Sequence, residues 1–313
     1  MKKIMYVMSA LAAVFSGNAL ADVSVSGSGK FNYTSSGSSG FASTSGGISF
    51  ALSTTTAGGV AISTSGGITQ DAEATASDGH TGFTSLAFAT GGTTITLSND
   101  VSAGSVGSVG GVASDMVDVG HDTIGASPAL NVGDADGGGV AIATSMGGAA
   151  VTATYVWDTT PGSEGQSDTS ASDTVTGVKV SMPMGALTVS ASHVMYNPGG
   201  SGTDDTMSGG SLAYAVGGGT LTLGYETSTG TTKATETSGA YSMSLDADTT
   251  IKVGYAQADE GATSNSVTEA SVTRALGGGA SVYAEMKSSS GSGTSTTATT
   301  EASTFAIGTS VAF

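Results

Sequence analysis

The chain has 313 residues, 50 of them glycine, with eight Lys and Arg against 25 Asp and Glu and no cysteine. The formal charge of −17 argues against a nucleic-acid partner, because phosphate binding needs clustered basic side chains. The lack of cysteine excludes a disulfide framework and thiolate metal sites.

Residues 1–21 read MKKIMYVMSALAAVFSGNALA. Lys2 and Lys3 make a charged start, Ile4 to Phe15 a short apolar run, and Ala19-Leu20-Ala21 a small-residue cleavage site. That order is expected of a secretory signal peptide, too short for a lasting membrane helix. The mature chain would then span 22–313. Losing Lys2 and Lys3 leaves six basic residues against 25 acids, a charge of −19.

Leu, Ile, Val and Phe total 55 residues. That is a poor supply for a packed core, and with this net charge the composition alone would read as disordered. No stretch after residue 21 is apolar enough for a membrane helix. The structure that reconciles these facts needs an apolar layer only one side chain thick.

Alternation along the chain supplies that layer. In VSVSGSGKFNY (23–33) and AVTATYVWD (150–158), and again in TLTLGYE (220–226) and TIKVGYAQ (250–257), apolar residues recur at every second position. The intervening positions are Ser, Thr, Gly, Ala or charged, as on two-faced strands. Short breaks follow in order at 55–59, 91–92, 147–148, 184–185, 217–219, 246–249 and 276–279. They are glycine-rich or Asp-rich and read as tight hairpin turns. Longer Gly/Ser/Thr/Asp segments alternate with them at 34–44, 69–82, 101–138, 159–173, 197–208, 229–235, 259–265 and 288–301. Seven turns and eight loops join sixteen strands. The expected fold is all-β: a sixteen-stranded antiparallel transmembrane β-barrel, with short turns at one end and long loops at the other. The last strand, STFAIGTSVAF (303–313), closes on the first. Phe305, Ile307, Val311 and Phe313 share its lipid-facing parity, with Phe313 at the membrane boundary.

On these features the chain resembles the trimeric general porins of Gram-negative outer membranes. The signal peptide, the strand count, the terminal Phe313 and a longest loop in third place carry the resemblance. It implies a homotrimer in outer-membrane lipid, placed there by the barrel-assembly machinery, that passes small hydrophilic solutes without covalent chemistry. It also implies that the third loop, about 100–138, folds inward as a constriction. Asp115, Asp118 and Asp122 would then face basic residues on the wall. Lys30, Lys179, Lys252 and Lys287 fall on the polar parity of their strands and are the candidates. General porins often carry an arginine cluster on that wall, whereas this chain has a single arginine, Arg274. The excess of acids leads to an expectation of cation preference.

No cofactor is expected. DADGGG (134–139) lacks the ligand spacing of a calcium loop, so calcium there is a minor alternative. His80, His121 and His193 are too scattered for a zinc site. GSGK (27–30) lacks the rest of a phosphate loop, and no nucleophile elbow occurs, so no enzyme is expected. Two alternatives to an open channel remain: a secreted β-solenoid adhesin, which should show a fixed repeat, and a barrel plugged by its third loop.

Overall fold

The computed structural model describes residues 22–36, 39–71, 79–81, 83, 85–102, 136–157, 174–197, 205–229, 233–261, 263–292 and 302–313. The signal stretch and most of the third loop lie outside them.

The described residues form strands and turns without a helix. The first seven strands are β1 (Asp22–Ser36), β2 (Ser39–Thr55), β3 (Ala61–Asp71), β4 (Gly79–Thr81), β5 (Ser85–Thr90), β6 (Thr93–Ser102) and β7 (Asp136–Met146). Next come β8 (Ala149–Val156), β9 (Thr174–Met184), β10 (Leu187–Asn197), β11 (Asp205–Val216) and β12 (Gly219–Thr229). The last five are β13 (Ala234–Ser244), β14 (Thr249–Glu260), β15 (Thr263–Gly277), β16 (Ala280–Ser292) and β17 (Ala302–Ala312). Every pairing is antiparallel between sequence neighbours, except that β5 also pairs with β3 and β17 returns to β1. Gly67–Thr69 of β3 pair with β4, and Ala61–Ser63 pair with β5. These two short segments therefore share one position, and the barrel has sixteen. The closed ladder of neighbouring strands is a barrel and not a solenoid.

Closure is completed at the C-terminus. The Phe313 N–H donates to the Gly27 carbonyl at 2.9 Å, and the Gly27 N–H donates to the Phe313 carbonyl at 2.8 Å. The Phe313 ring occupies the place where a side chain on Gly27 would stand. Phe305, Ile307 and Val311 share the outward face, each about half exposed.

The two faces are sorted as the alternation requires. On β1, Phe31 and Tyr33 point outward and are exposed, while Asn32 and Thr34 point inward and are buried. Tyr214, Tyr241 and Phe313 lie outward toward the short-turn end. Tyr33, Tyr155, Trp157, Tyr225 and Tyr255 lie outward nearer the other end, two belts of the kind that flank an apolar band. Tyr155 and Trp157 are neighbours, with ring centroids 6.2 Å apart. Tyr196 departs from the apolar parity expected of it: it pairs with Val175 on the inward face, in step with Val194.

All seven short turns fall where the glycine and aspartate signals place them. At Gly147-Gly148 both residues have positive φ, 60° and 88°, as a two-residue hairpin with matched twist demands. The loop end differs from expectation. Residues 37–38 alone separate β1 from β2, residues 261–262 separate β14 from β15, and residues 230–233 separate β12 from β13. The expected loops 34–44 and 259–265 are mainly strand, 229–235 is shortened to 230–233, and β4 lies inside the expected loop 69–82. Beyond the apolar band these strands carry hydroxyls on both faces. Alternation is lost there although the backbone ladder continues.

The turn between β13 and β14 is held by one side chain. Asp246 accepts the Asp248 N–H at 2.8 Å and the Thr249 hydroxyl at 3.1 Å, and Arg274 stands 3.5 Å away. The Asp248 and Thr249 bonds, with a smaller contribution from Arg274, hold the Asp246 pKa below the usual carboxylate range. A depressed carboxylate adds stability above its unfolded pKa and loses it as pH falls through the folded value. Asp246→Asn is therefore expected to lower the urea midpoint at about pH 7, with the difference from wild type closing by about pH 2. A difference independent of pH would assign the effect to turn shape alone. At Gly147 and Gly148 a Cβ would meet nothing within 4 Å. Alanine at either is expected to cost about 1–2 kcal/mol from backbone strain alone, read by urea unfolding.

Candidate functional site

The inner wall is where chemistry-bearing side chains converge. Because pairing is known strand by strand, inward residues can be followed in rows around the barrel. One row runs Lys252 (β14), Ser271 (β15), Glu285 (β16), Ala306 (β17) and Thr34 (β1). A second runs Gly254, Glu269, Lys287 and Thr304 across β14–β17. A third joins Tyr283, Gly308 and Asn32 across β16, β17 and β1. Lys30 follows two residues from Asn32, opposite Ser310.

The four lysines singled out by parity all face inward. Lys179 does so on β9, alternating with the outward Val178 and Val180. Lys30 lies over the Tyr283 ring, 5.3 Å from its centroid, within cation–π range. Tyr283 in turn lies across Gly308, where a Cβ would collide with its ring and with the Phe31 carbonyl. Only glycine lets the ring lie flat over β17 toward Lys30. Asn32 accepts a hydrogen bond from the Ser43 hydroxyl, which fixes the wall on the other side of β1.

Lys287 is built into an ion pair. Its Nζ stands 3.1 Å from Glu269 Oε1, and the Glu269 side chain has no exposed surface. Such a pair contributes little net stability, yet removing one partner leaves a buried charge, which typically costs about 3–5 kcal/mol. Lys287→Met is expected to destabilise by about that amount, and Lys287→Met with Glu269→Leu by much less, in urea titrations of the refolded barrel.

Asp115, Asp118 and Asp122 lie outside the described residues, as does His121. The wall itself carries acids that parity reasoning did not single out. Glu226, Glu236, Glu269 and Glu285 all point inward and are buried. Glu226 and Glu285 share the polar parity of TLTLGYE and of ASVYAEMK and were legible there. Glu269 was hidden because Val267 points inward and Val272 outward, so its strand shows no clean alternation.

Charge is concentrated in one sector, with Lys179 on β9 standing apart from it. From β12 round to β1 the inner wall holds four glutamates and three lysines. On β2, β3 and β5–β8 the described inward side chains are Ser, Thr, Gly and Ala, apart from Val156. His193 faces outward on β10, its Nδ1 2.9 Å from Ser208 Oγ. The surrounding outward residues, Ala191, Met195, Val178 and Thr227, supply no carboxylate to orient the ring. DADGGG is strand from Asp136 onward.

The closed sixteen-position ladder with a polar inside and an apolar outside decides the fold. It is the porin fold. An outer membrane protein of Vibrio cholerae, OmpT lacking loop L8, superposes at TM-score 0.69 with 16% identity, over 94% of this chain and 99% of that one. A variant of the Rhodopseudomonas blastica porin gives TM-score 0.68 and 16% identity, over 93% of this chain and 100% of that one. The anion-selective porin from Comamonas acidovorans gives 0.68 and 14%, over 94% and 100%. No family model matches the chain, and no curated protein matches it in sequence. The porin fold is thus reached with few shared residues, because what it fixes is parity and closure.

Proposed function

We propose that the protein is an outer-membrane porin of a Gram-negative bacterium, a passive diffusion channel for small hydrophilic solutes and ions. The observation that carries this reading is the inner wall. Hydroxyl, glycine and charged side chains line a barrel of the porin class, and about 16 strands suffice to leave an aqueous channel. Hydrated solutes need a polar, wide path and no covalent step.

The assembly is read as a homotrimer, embedded in outer-membrane lipid and installed by the barrel-assembly machinery. Vibrio cholerae OmpT, which shares the fold, is a trimer in one of its solved forms. The third loop is read as the constriction, with Asp115, Asp118 and Asp122 facing Lys30, Lys179, Lys252 and Lys287. Cation preference is the selectivity we assign. Its support is the 25 acids against six basic residues from Asp22 onward, four of those acids being the wall glutamates. The fold does not set the sign, since an anion-selective porin shares it.

Single-channel recording of the purified protein in a planar bilayer under a salt gradient tests the reading. Stepwise openings in groups of three with a cation-directed reversal potential are expected. Anion preference would keep the channel and overturn the assigned selectivity. Silence from a correctly inserted barrel would indicate a plugged structure and overturn the porin reading.

A further inference from the structure

Among the glutamates of the inner wall, Glu226 on β12 has a bed prepared for it. Its register partners are Gly209 on β11 and Glu236 on β13. Directly opposed residues on one face have Cβ atoms about 4.5–5.5 Å apart, and like charges there repel. The Glu226 side chain turns away from Glu236 and lies over Gly209. A Cβ built on Gly209 would stand 3.0 Å from Glu226 Oε1, 3.1 Å from its Cγ and 3.2 Å from Ser192 Oγ. The carboxylate thus occupies the space that a side chain at 209 would fill. Ser192 on β10 is the next residue in the row, and Lys179 on β9 follows it. Glu226 is therefore laid along the wall toward a lysine, with 3% of its surface exposed. This bed differs from the one at the seam. At Gly308 an added Cβ would meet the Phe31 carbonyl at 2.6 Å, so a replacement there moves backbone, whereas the three nearest atoms at Gly209 all belong to side chains.

We propose that Gly209 is a positioning residue that sets the selectivity of the channel through Glu226, an inference that rests on the diffusion-channel reading above. Backbone conformation does not demand glycine here, since Gly209 is not among the glycines with positive φ. A glycine inside a strand costs backbone entropy and marks a close approach. What approaches Gly209 is a carboxylate. The bed has two consequences. It parts Glu226 from Glu236 and so lowers the repulsion between them. It also carries one negative charge about one strand spacing, roughly 4.8 Å, toward Lys179. The row then presents a dipole along the wall and not two adjacent acids. With a branched side chain at 209 the carboxylate has two directions left, toward Glu236 or into the lumen. Either brings a second negative charge beside Glu236 to the solute path. Gly209 therefore holds cation preference below what the acids of this wall would otherwise give.

The test uses the full mature chain, refolded in detergent and inserted into planar bilayers under a salt gradient, as wild type, Gly209→Val, Glu226→Gln and the two combined. Gly209→Val is expected to move the reversal potential further toward cations. The cation-to-anion permeability ratio should rise roughly twofold, the Coulomb gain in water for one charge brought from about 10 to about 5 Å of a passing ion. The same valine in the Glu226→Gln chain should leave the reversal potential where Glu226→Gln alone puts it. Selectivity unchanged by valine overturns the proposal. So does an equal shift with and without the Glu226 charge, which would assign the effect to pore shape. Urea unfolding in detergent gives a reading that needs no current. Valine at 209 should lower the midpoint of the wild type by more than it lowers that of Glu226→Ala, which has no carboxylate to displace. Equal shifts reject the positioning. Silence of the wild type in the bilayer would overturn the channel reading, and the unfolding comparison then decides the positioning by itself. Should Gly209→Val fail to refold, Gly209→Ala takes its place in both comparisons, with smaller shifts of the same sign and the same criteria.

Discussion

The whole structure depends on closure of the backbone ladder. Hydrocarbon offers no partner to an exposed N–H or C=O, so a spanning sheet can have no free edge. Here that requirement falls on the last residue. Phe313 exchanges both backbone bonds with Gly27, and β17 pairs with β1 from Ala312 back to Thr304. Once closure satisfies the backbone, side chains need not form a packed core. A chain with so few large apolar residues can then fold, because those it has serve only the outer face.

Closure also shapes the wall. Curving the sheet crowds the inner face, and the seam relieves this with glycines covered by aromatic rings. Tyr283 covers Gly308 from inside, and Phe313 covers Gly27 from outside. The ring that fills the inner gap also holds Lys30. Charge therefore begins at the seam and runs back through β16 to β12, while the strands on the other side of β1 are lined by small hydroxyl residues.

The sequence made the architecture legible where physics allows one solution. Paired glycines at 91–92 and 147–148 demand positive φ, and the alternation of β12 and β14 leaves one orientation for Glu226 and Lys252. It was less legible at the loop end. Ser, Thr and Gly above the apolar band look alike in a loop and in a strand exposed on both faces, so 34–44 read as loop although Ser36 pairs with Ser39. Glu236 and Glu269 escaped notice for a related reason. Thr235 and Thr237 give β13 no apolar contrast, and Val267 gives β15 a false one. Which residues meet across strands is a matter of register, and register follows from turns and closure together.

Register also bears on what the wall can do electrically. Glu269 and Lys287 cancel within one ion pair, and Lys252 and Glu285 sit in one row about Ser271. Of the other wall charges, Lys179 lies in one row with Glu226 and Glu236, three strands from Glu226, and Lys30 is five strand spacings from Glu236, roughly 24 Å along the wall. At physiological ionic strength fields decay over about 8 Å. A solute moving past β12–β13 therefore meets a negative surface, and one moving past the seam a positive one, with little overlap between them. Net charge counted over the whole chain describes neither region. The sign of selectivity is set by whichever of the two lies nearer the narrowest path.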